Sequence, residues 1–131
     1  MSEMMIHNST ECNAAVNSIR DALYVLSGKW KLPLIVGLRE GPKRFNEIQR
    51  ALVDITPKVL SKELRELELN DFVIRRVYDT VPVTVTYELT PYSATVDPII
   101  AALREWGAQH RNRIVESRRT EQSEIEVKVI D

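Results

Sequence analysis

The sequence predicts an α+β fold in which helices dominate and a single β-hairpin enters late. Three observations predict it. Apolar residues recur at a period near 3.6 in successive segments from Val16 to Leu67, the period switches to two between Phe72 and Thr90, and a proline-opened helical segment follows. At 131 residues, 44% hydrophobic and 28% charged, the chain has the composition of one globular domain with a tail. A disordered chain would lack that apolar fraction.

The first helix is predicted over about 14–26, where Val16, Ile19, Leu23 and Leu26 make one stripe. Gly28 breaks it. A short, strongly apolar helix follows over about 32–39 and is ended by Gly41-Pro42. The third helix, 45–52, presents Phe45, Ile48 and Leu52 inward, and the four residues "VDIT" separate it from a fourth. Thr56 supplies an N-cap for that fourth helix and Pro57 suits its first position, where a missing N–H costs nothing. Leu60, Leu64 and Leu67 share one narrow arc; Lys58, Ser61, Lys62 and Arg65 share the opposite one. Asn70-Asp71 is expected to end it, with Asn70 tolerating the left-handed conformation.

Two strands follow, 72–79 and 83–90, joined by the short hairpin "TVP". The second alternates strictly, Val83, Val85, Tyr87 and Leu89 against Thr84, Thr86, Glu88 and Thr90. Thr90-Pro91 repeats the cap-plus-proline signature and opens a last helix to about 107–111, with a kink or restart expected at Asp97 because Pro98 lies within it. From Ser117 the tail is charged, and "EIEVKVID" alternates like a strand without an evident partner, so disorder is the default and pairing across a dimer the alternative.

Helix, four-residue turn, helix and hairpin is the order of a winged helix-turn-helix, whose second helix enters the major groove of B-DNA. A groove about 12 Å wide admits one helix, and the inserted face must carry donors. Lys58, Lys62 and Arg65 bring charge, while Thr56 and Ser61 bring hydroxyls near the leading end. Arg44 and Arg50 flank the preceding helix, and Arg75 and Arg76 sit at the base of the hairpin, where phosphate contacts position without specifying sequence. Residues 42–76 carry net +2 while the rest carries net −3, although the whole chain is at −1. That balance excludes bulk coating of nucleic acid, not a local basic surface. By itself the basic face is equally a solvated one, and winged helices also serve as protein–protein modules.

The chain also resembles the HxlR-type family of bacterial winged helix-turn-helix transcriptional regulators. The resemblance rests on Gly28-Lys29-Trp30, Arg44-Phe45-Asn46-Glu47, Ile55-Thr56-Pro57-Lys58-Val59-Leu60-Ser61, Leu64-Arg65-Glu66-Leu67, Val81-Pro82-Val83, Tyr87-Glu88-Leu89-Thr90 and Ala-Leu-Arg-Glu-Trp-Gly at 102–107, with a cysteine ahead of them. It spans about residues 12–111 and departs from the family's habit at Cys12-Asn13, commonly Cys-Pro, and at Asp71, near which a glycine is frequent. It implies a homodimeric, sequence-specific DNA-binding repressor or activator. The expected organisation is a flexible terminus over 1–11, the DNA-binding domain with dimerisation helices over 12–113 and a charged tail over 114–131.

The expected DNA contacts are Arg44, Asn46, Arg50, Thr56, Pro57, Lys58, Ser61, Lys62, Arg65, Arg75 and Arg76, with Thr80, Val81 and Pro82 at the wing tip. Partners are then a pseudo-palindromic operator and a second copy of the chain. The apolar stripes exceed what a small hairpin can cover, which assigns Val16, Ile19 and Leu23 of the first helix and Ile99, Ile100, Leu103 and Trp106 of the last to a dimer interface. Cys12 is expected just before the first helix, where the helix dipole favours a thiolate and Glu11 opposes it; it is the candidate redox sensor, or else an unreactive small residue.

Other classes are expected to be absent. His7 and His110 are isolated, and no Cys/His cluster has metal-ligand spacing, so neither metal nor cofactor is expected. No phosphate loop or nucleophile–base arrangement suggests an enzyme. Trp30 and Trp106 are expected in the core, with a small-effector pocket between subunits as the alternative. No apolar run reaches the ~20 residues of a membrane span, the start lacks the pattern of a secretion signal, and the single cysteine fits a reducing cytoplasm.

Overall fold

The computed structural model describes residues 9–130, and the chain divides into two compact units at Ser93/Ala94. The first holds helices α1 (Ser9–Leu26), α2 (Lys31–Leu38), α3 (Phe45–Leu52) and α4 (Pro57–Leu69), and strands β1 (Lys43–Arg44), β2 (Val73–Tyr78) and β3 (Thr84–Leu89). A 3-10 turn over Pro91–Val96 leads into the second unit, which is dominated by α5 (Asp97–Ile130).

The core of the first unit forms where the apolar arcs of three helices meet the start of the sheet. Leu34, Ile35 and Leu38 of α2, Ile48 of α3, Ile55, the Leu60/Leu64/Leu67 arc of α4, and Phe72 with Val73 are all buried. Phe72 stacks on Tyr92 at 5.5 Å between centroids, and Arg39 Nη2 donates to the Ser93 carbonyl at 3.0 Å. The sheet order is β1-β3-β2, antiparallel throughout, with Arg75 opposite Tyr87 and Arg44 opposite Thr86. The two-residue strand β1 was not predicted, because two residues are too short to show a period of two. Its pairing makes β3 central, which is why all six β3 residues are half-buried despite their strict alternation.

Both ends of α4 are closed. Thr56 Oγ1 accepts from the Val59 N–H at 3.2 Å and Pro57 occupies the first helical position. At the other end the Phe72 N–H donates to the Leu67 carbonyl at 2.9 Å and the Asp71 N–H to Glu68 at 3.1 Å, a Schellman motif. The left-handed residue is Asp71, at φ +65°, not Asn70 at φ −96°.

Four expectations at the chain ends change. Helix α1 starts at Ser9, so Cys12 lies in its first turn rather than before it. The expected flexible terminus is helical over Ser9–Glu11; residues 1–8, His7 among them, lie outside the described residues. The restart at Asp97 occurs as expected, with Pro98 in the first turn, but α5 does not stop near 107–111 and continues to Ile130. The strand-like pattern at 124–131 is therefore helical through Ile130. A strand with no neighbour leaves its backbone groups unpaired, whereas a helix satisfies its own, and nothing after Gly107 breaks a helix.

Thr56→Ala is expected to lower unfolding free energy by about 1 kcal/mol in urea denaturation, because one α4 donor is left without its acceptor.

Candidate nucleic-acid interface

Helix α4 turns its leucine arc into the core, so Lys58, Ser61, Lys62 and Arg65 are exposed together on the far side. Among the described residues, two surface depressions are lined by expected contacts. One of about 230 Å³ is lined by Ser61, Leu64, Arg65 and Glu68 of α4 with Arg75 and Tyr87 of the hairpin. It brings the expected residues Ser61, Arg65 and Arg75 together. The other, an open one of about 580 Å³, is lined by Asn46, Gln49, Arg50 and Val53. Val53 has φ +53°, ψ −62°, and the Asp54 N–H reaches the Leu52 carbonyl at 2.6 Å, so the inter-helix turn contains a tight γ-turn on a β-branched residue.

Neighbouring arginines are engaged differently. Arg76 forms an ion pair with Glu88 on the adjacent strand, so its charge is largely balanced within the sheet. The Arg44 backbone N–H donates to Glu47 Oε1 at 3.0 Å, which caps α3 while leaving the guanidinium exposed. At the wing, Thr80 Oγ1 donates to the Pro82 carbonyl at 2.7 Å and lies 2.9 Å from Thr84 Oγ1. The closed turn holds Val81 fully in solvent.

The main residue that sequence reasoning missed is Lys31. It is buried at the start of α2, with Nζ 2.8 Å from Glu63 and 2.5 Å from Glu66, both on α4. Burial alone would lower its pKa, but the two carboxylates more than offset this and hold it above the ordinary lysine value. Glu66 is held below the ordinary glutamate value, first by its hydrogen bond to Lys31. The pair anchors the polar flank of α4 to α2. Its one sequence signal is a lysine opening the otherwise apolar "KLPLIVGL", too little to choose partners 32 and 35 residues away.

Elsewhere, Trp30 is half-buried beneath Lys29 Nζ, 4.8 Å from its ring centre. Trp106 is 63% exposed and stacks on His110 at 4.9 Å, so it is not a core residue of its unit. Val16, Ile19 and Leu23 are exposed on α1; Ile99 and Leu103 are exposed on α5 and Ile100 is half-buried. Cys12 is a half-buried free thiol. Among the described residues no cluster of three His, Cys, Asp or Glu could hold a metal, and no helix is long and apolar enough to cross a membrane.

A family model described as HxlR-like helix-turn-helix matches residues 25–115, which includes α2 through the hairpin and the first half of α5. The chain belongs to that family. The HTH-type transcriptional regulator YtcD of Bacillus subtilis is 41% identical over 97 residues, 74% of this chain and 77% of YtcD. Among solved structures, the redox regulator HypR in its reduced form superposes with a TM-score of 0.70 at 41% identity, over 76% of this chain and 98% of HypR. The reduced form of the transcriptional regulator YodB from B. subtilis gives 0.65 at 34% identity, over 70% and 90%. Within the matched span, the order of α3, α4 and the β2–β3 hairpin is that of a winged helix-turn-helix.

Lys31→Met is expected to cost roughly 1–2 kcal/mol at neutral pH, less than for a fully buried pair because Glu66 is about a third exposed. Glu66, with its lowered pKa, contributes stability that is present above about pH 4.5 and lost as pH falls through its folded value. Lys31, with its raised pKa, contributes stability that is present below about pH 10.5 and lost as pH rises through its folded value. The gap between wild type and variant in urea denaturation should therefore narrow on acidification below pH 4.5. A pH-independent gap would contradict the assigned pairing.

Proposed function

We propose that the protein is a cytoplasmic, non-enzymatic transcriptional regulator that binds a pseudo-palindromic operator as a homodimer. The observation that carries this reading is the exposed Lys58/Ser61/Lys62/Arg65 face on a helix closed at both ends and held by its leucine arc. Inserted in the major groove, Lys62 and Arg65 offer donors to phosphates and base edges. Thr56, Pro57 and Lys58 lead the helix in. Arg44, in β1 just before α3, and Asn46 and Arg50 on α3 join Arg75 as the proposed contacts to backbone phosphates, with Thr80-Val81-Pro82 proposed to meet the adjacent groove. Arg76 contributes less, since Glu88 already balances it.

Two recognition helices are needed because one rarely holds DNA at physiological salt. The exposed stripes of Val16, Ile19 and Leu23 on α1 and of Ile99, Leu103 and Trp106, beside half-buried Ile100, on α5 support a second copy as their cover. Cys12 is the proposed point of regulation by oxidants or electrophiles. The likeness to HypR, a redox regulator, and to YodB, of which diamide-treated and quinone-bound forms are known, supports it.

Replacing both Lys62 and Arg65 by Ala should weaken operator binding and lower the slope of log K against log salt by about one unit for each phosphate that is no longer neutralised. An unchanged affinity and slope would place the face outside the interface. Separately, Cys12→Ser should keep its DNA affinity in diamide while wild type loses it; an identical response of the two proteins would remove Cys12 from regulation.

A further inference from the structure

Helix α5 runs well past the family-matched span, which ends at residue 115. Its 34 residues extend about 50 Å, and from Ala101 to Ile125 every residue is exposed. A helix exposed on all sides is marginal in water on its own. The charge of this extension is divided. Residues 111–119 hold four arginines and one glutamate, whereas 120–131 hold four acids and one lysine.

Along it, Ile114, Arg118, Glu121 and Ile125 stand at i, i+4, i+7 and i+11 and so fall within about 60° of one another around the axis. Both isoleucines are exposed, 38% and 60%. In reverse order the row is Ile, Glu, Arg, Ile, the charge complement of itself. One orientation of two copies uses that property. Antiparallel, with the two-fold axis between Arg119 and Thr120, each isoleucine meets the other kind and each arginine meets a glutamate. A parallel pair in register would set arginine against arginine and the basic half against the basic half.

We propose that the C-terminal half of α5 pairs antiparallel with that of a second copy, Ile114 against Ile125 of the partner subunit and Arg118 opposite Glu121 of the partner subunit. The pairing rests on the homodimer reading in requiring a second copy, and adds a contact outside the helix-turn-helix fold and outside the Val16 and Leu103 stripes. Helical register over 114–125 is then a condition of full dimer strength.

Charge exchange between full-length chains tests it. Arg118→Glu and Glu121→Arg each place like charges across the two-fold, so each alone should dimerise roughly five-fold more weakly than wild type in sedimentation. Mixed, they restore both cross-pairs, and native mass spectrometry should find heterodimer above the statistical half. Like charges within each helix remain in the mixture, so an intrahelical effect gives no such excess. In a Cys12→Ser background, Ile114→Cys and Ile125→Cys chains should form a disulfide only when mixed. Statistical mixing at wild-type strength, or Ile125→Cys linking to itself, would overturn the pairing. A chain ended after Arg113 that dimerises as tightly as wild type overturns it too and leaves the homodimer standing. A wild type monomeric at every concentration removes both.

Discussion

The Lys31 ammonium, held between Glu63 and Glu66, is the contact on which the presentation of α4 depends. Leucine packing alone is nearly non-directional, and the arc of Leu60, Leu64 and Leu67 could rock by a fraction of a turn on the α2 surface with little change in buried area. A buried charge with two carboxylate partners tolerates no such rotation, because a misplaced helix would leave it desolvated and unpaired. The cluster consumes the acids at two of the three outward glutamate positions of α4, so they do not compete with the basic face next to them. This cluster thus holds the helix in rotation and separates its structural polar flank from the exposed basic face of Lys58, Ser61, Lys62 and Arg65.

The same division of labour repeats in the wing. Arg75 and Arg76 are adjacent, and alternation along β2 sends them to opposite faces of the sheet. Arg76 is used within the sheet by Glu88, while Arg75 joins Ser61 and Arg65 around one depression. Lys43-Arg44, pairing with β3, ties the start of α3 to the hairpin, so the helix-turn-helix and the wing share one sheet. Exposed apolar side chains lie on α1 and α5 and also on the hairpin, where Val77, Tyr78, Val81 and Val83 face solvent.

Much of this was legible in the sequence, for physical reasons that also explain what was not. Phe45–Leu52 and Pro57–Leu69 were read to within a residue, because caps, a proline and 3.6-residue spacing all act over one helix. The exposed basic face followed from the same spacing. Lys31 with Glu63 and Glu66, β1 on β3 and Arg76 with Glu88 are contacts between separate segments, and local patterns do not reveal partners. At the C-terminus, disorder is the default expectation for a charged tail and strand pairing across a dimer the alternative, whereas a helix satisfies its own backbone groups. The left-handed residue is Asp71 and not Asn70 because the Schellman geometry, not propensity, decides the position.

The central claim is that the α4 face enters the major groove twice in one complex. Dimethyl sulfate modifies guanine N7 on the floor of that groove, so its protection pattern over a site recovered by genome-wide binding reads the claim directly. Insertion of two α4 helices should protect two clusters of guanine N7 separated by one helical turn, about 10 base pairs, or a multiple of it. Full N7 reactivity across a saturated site would contradict the account.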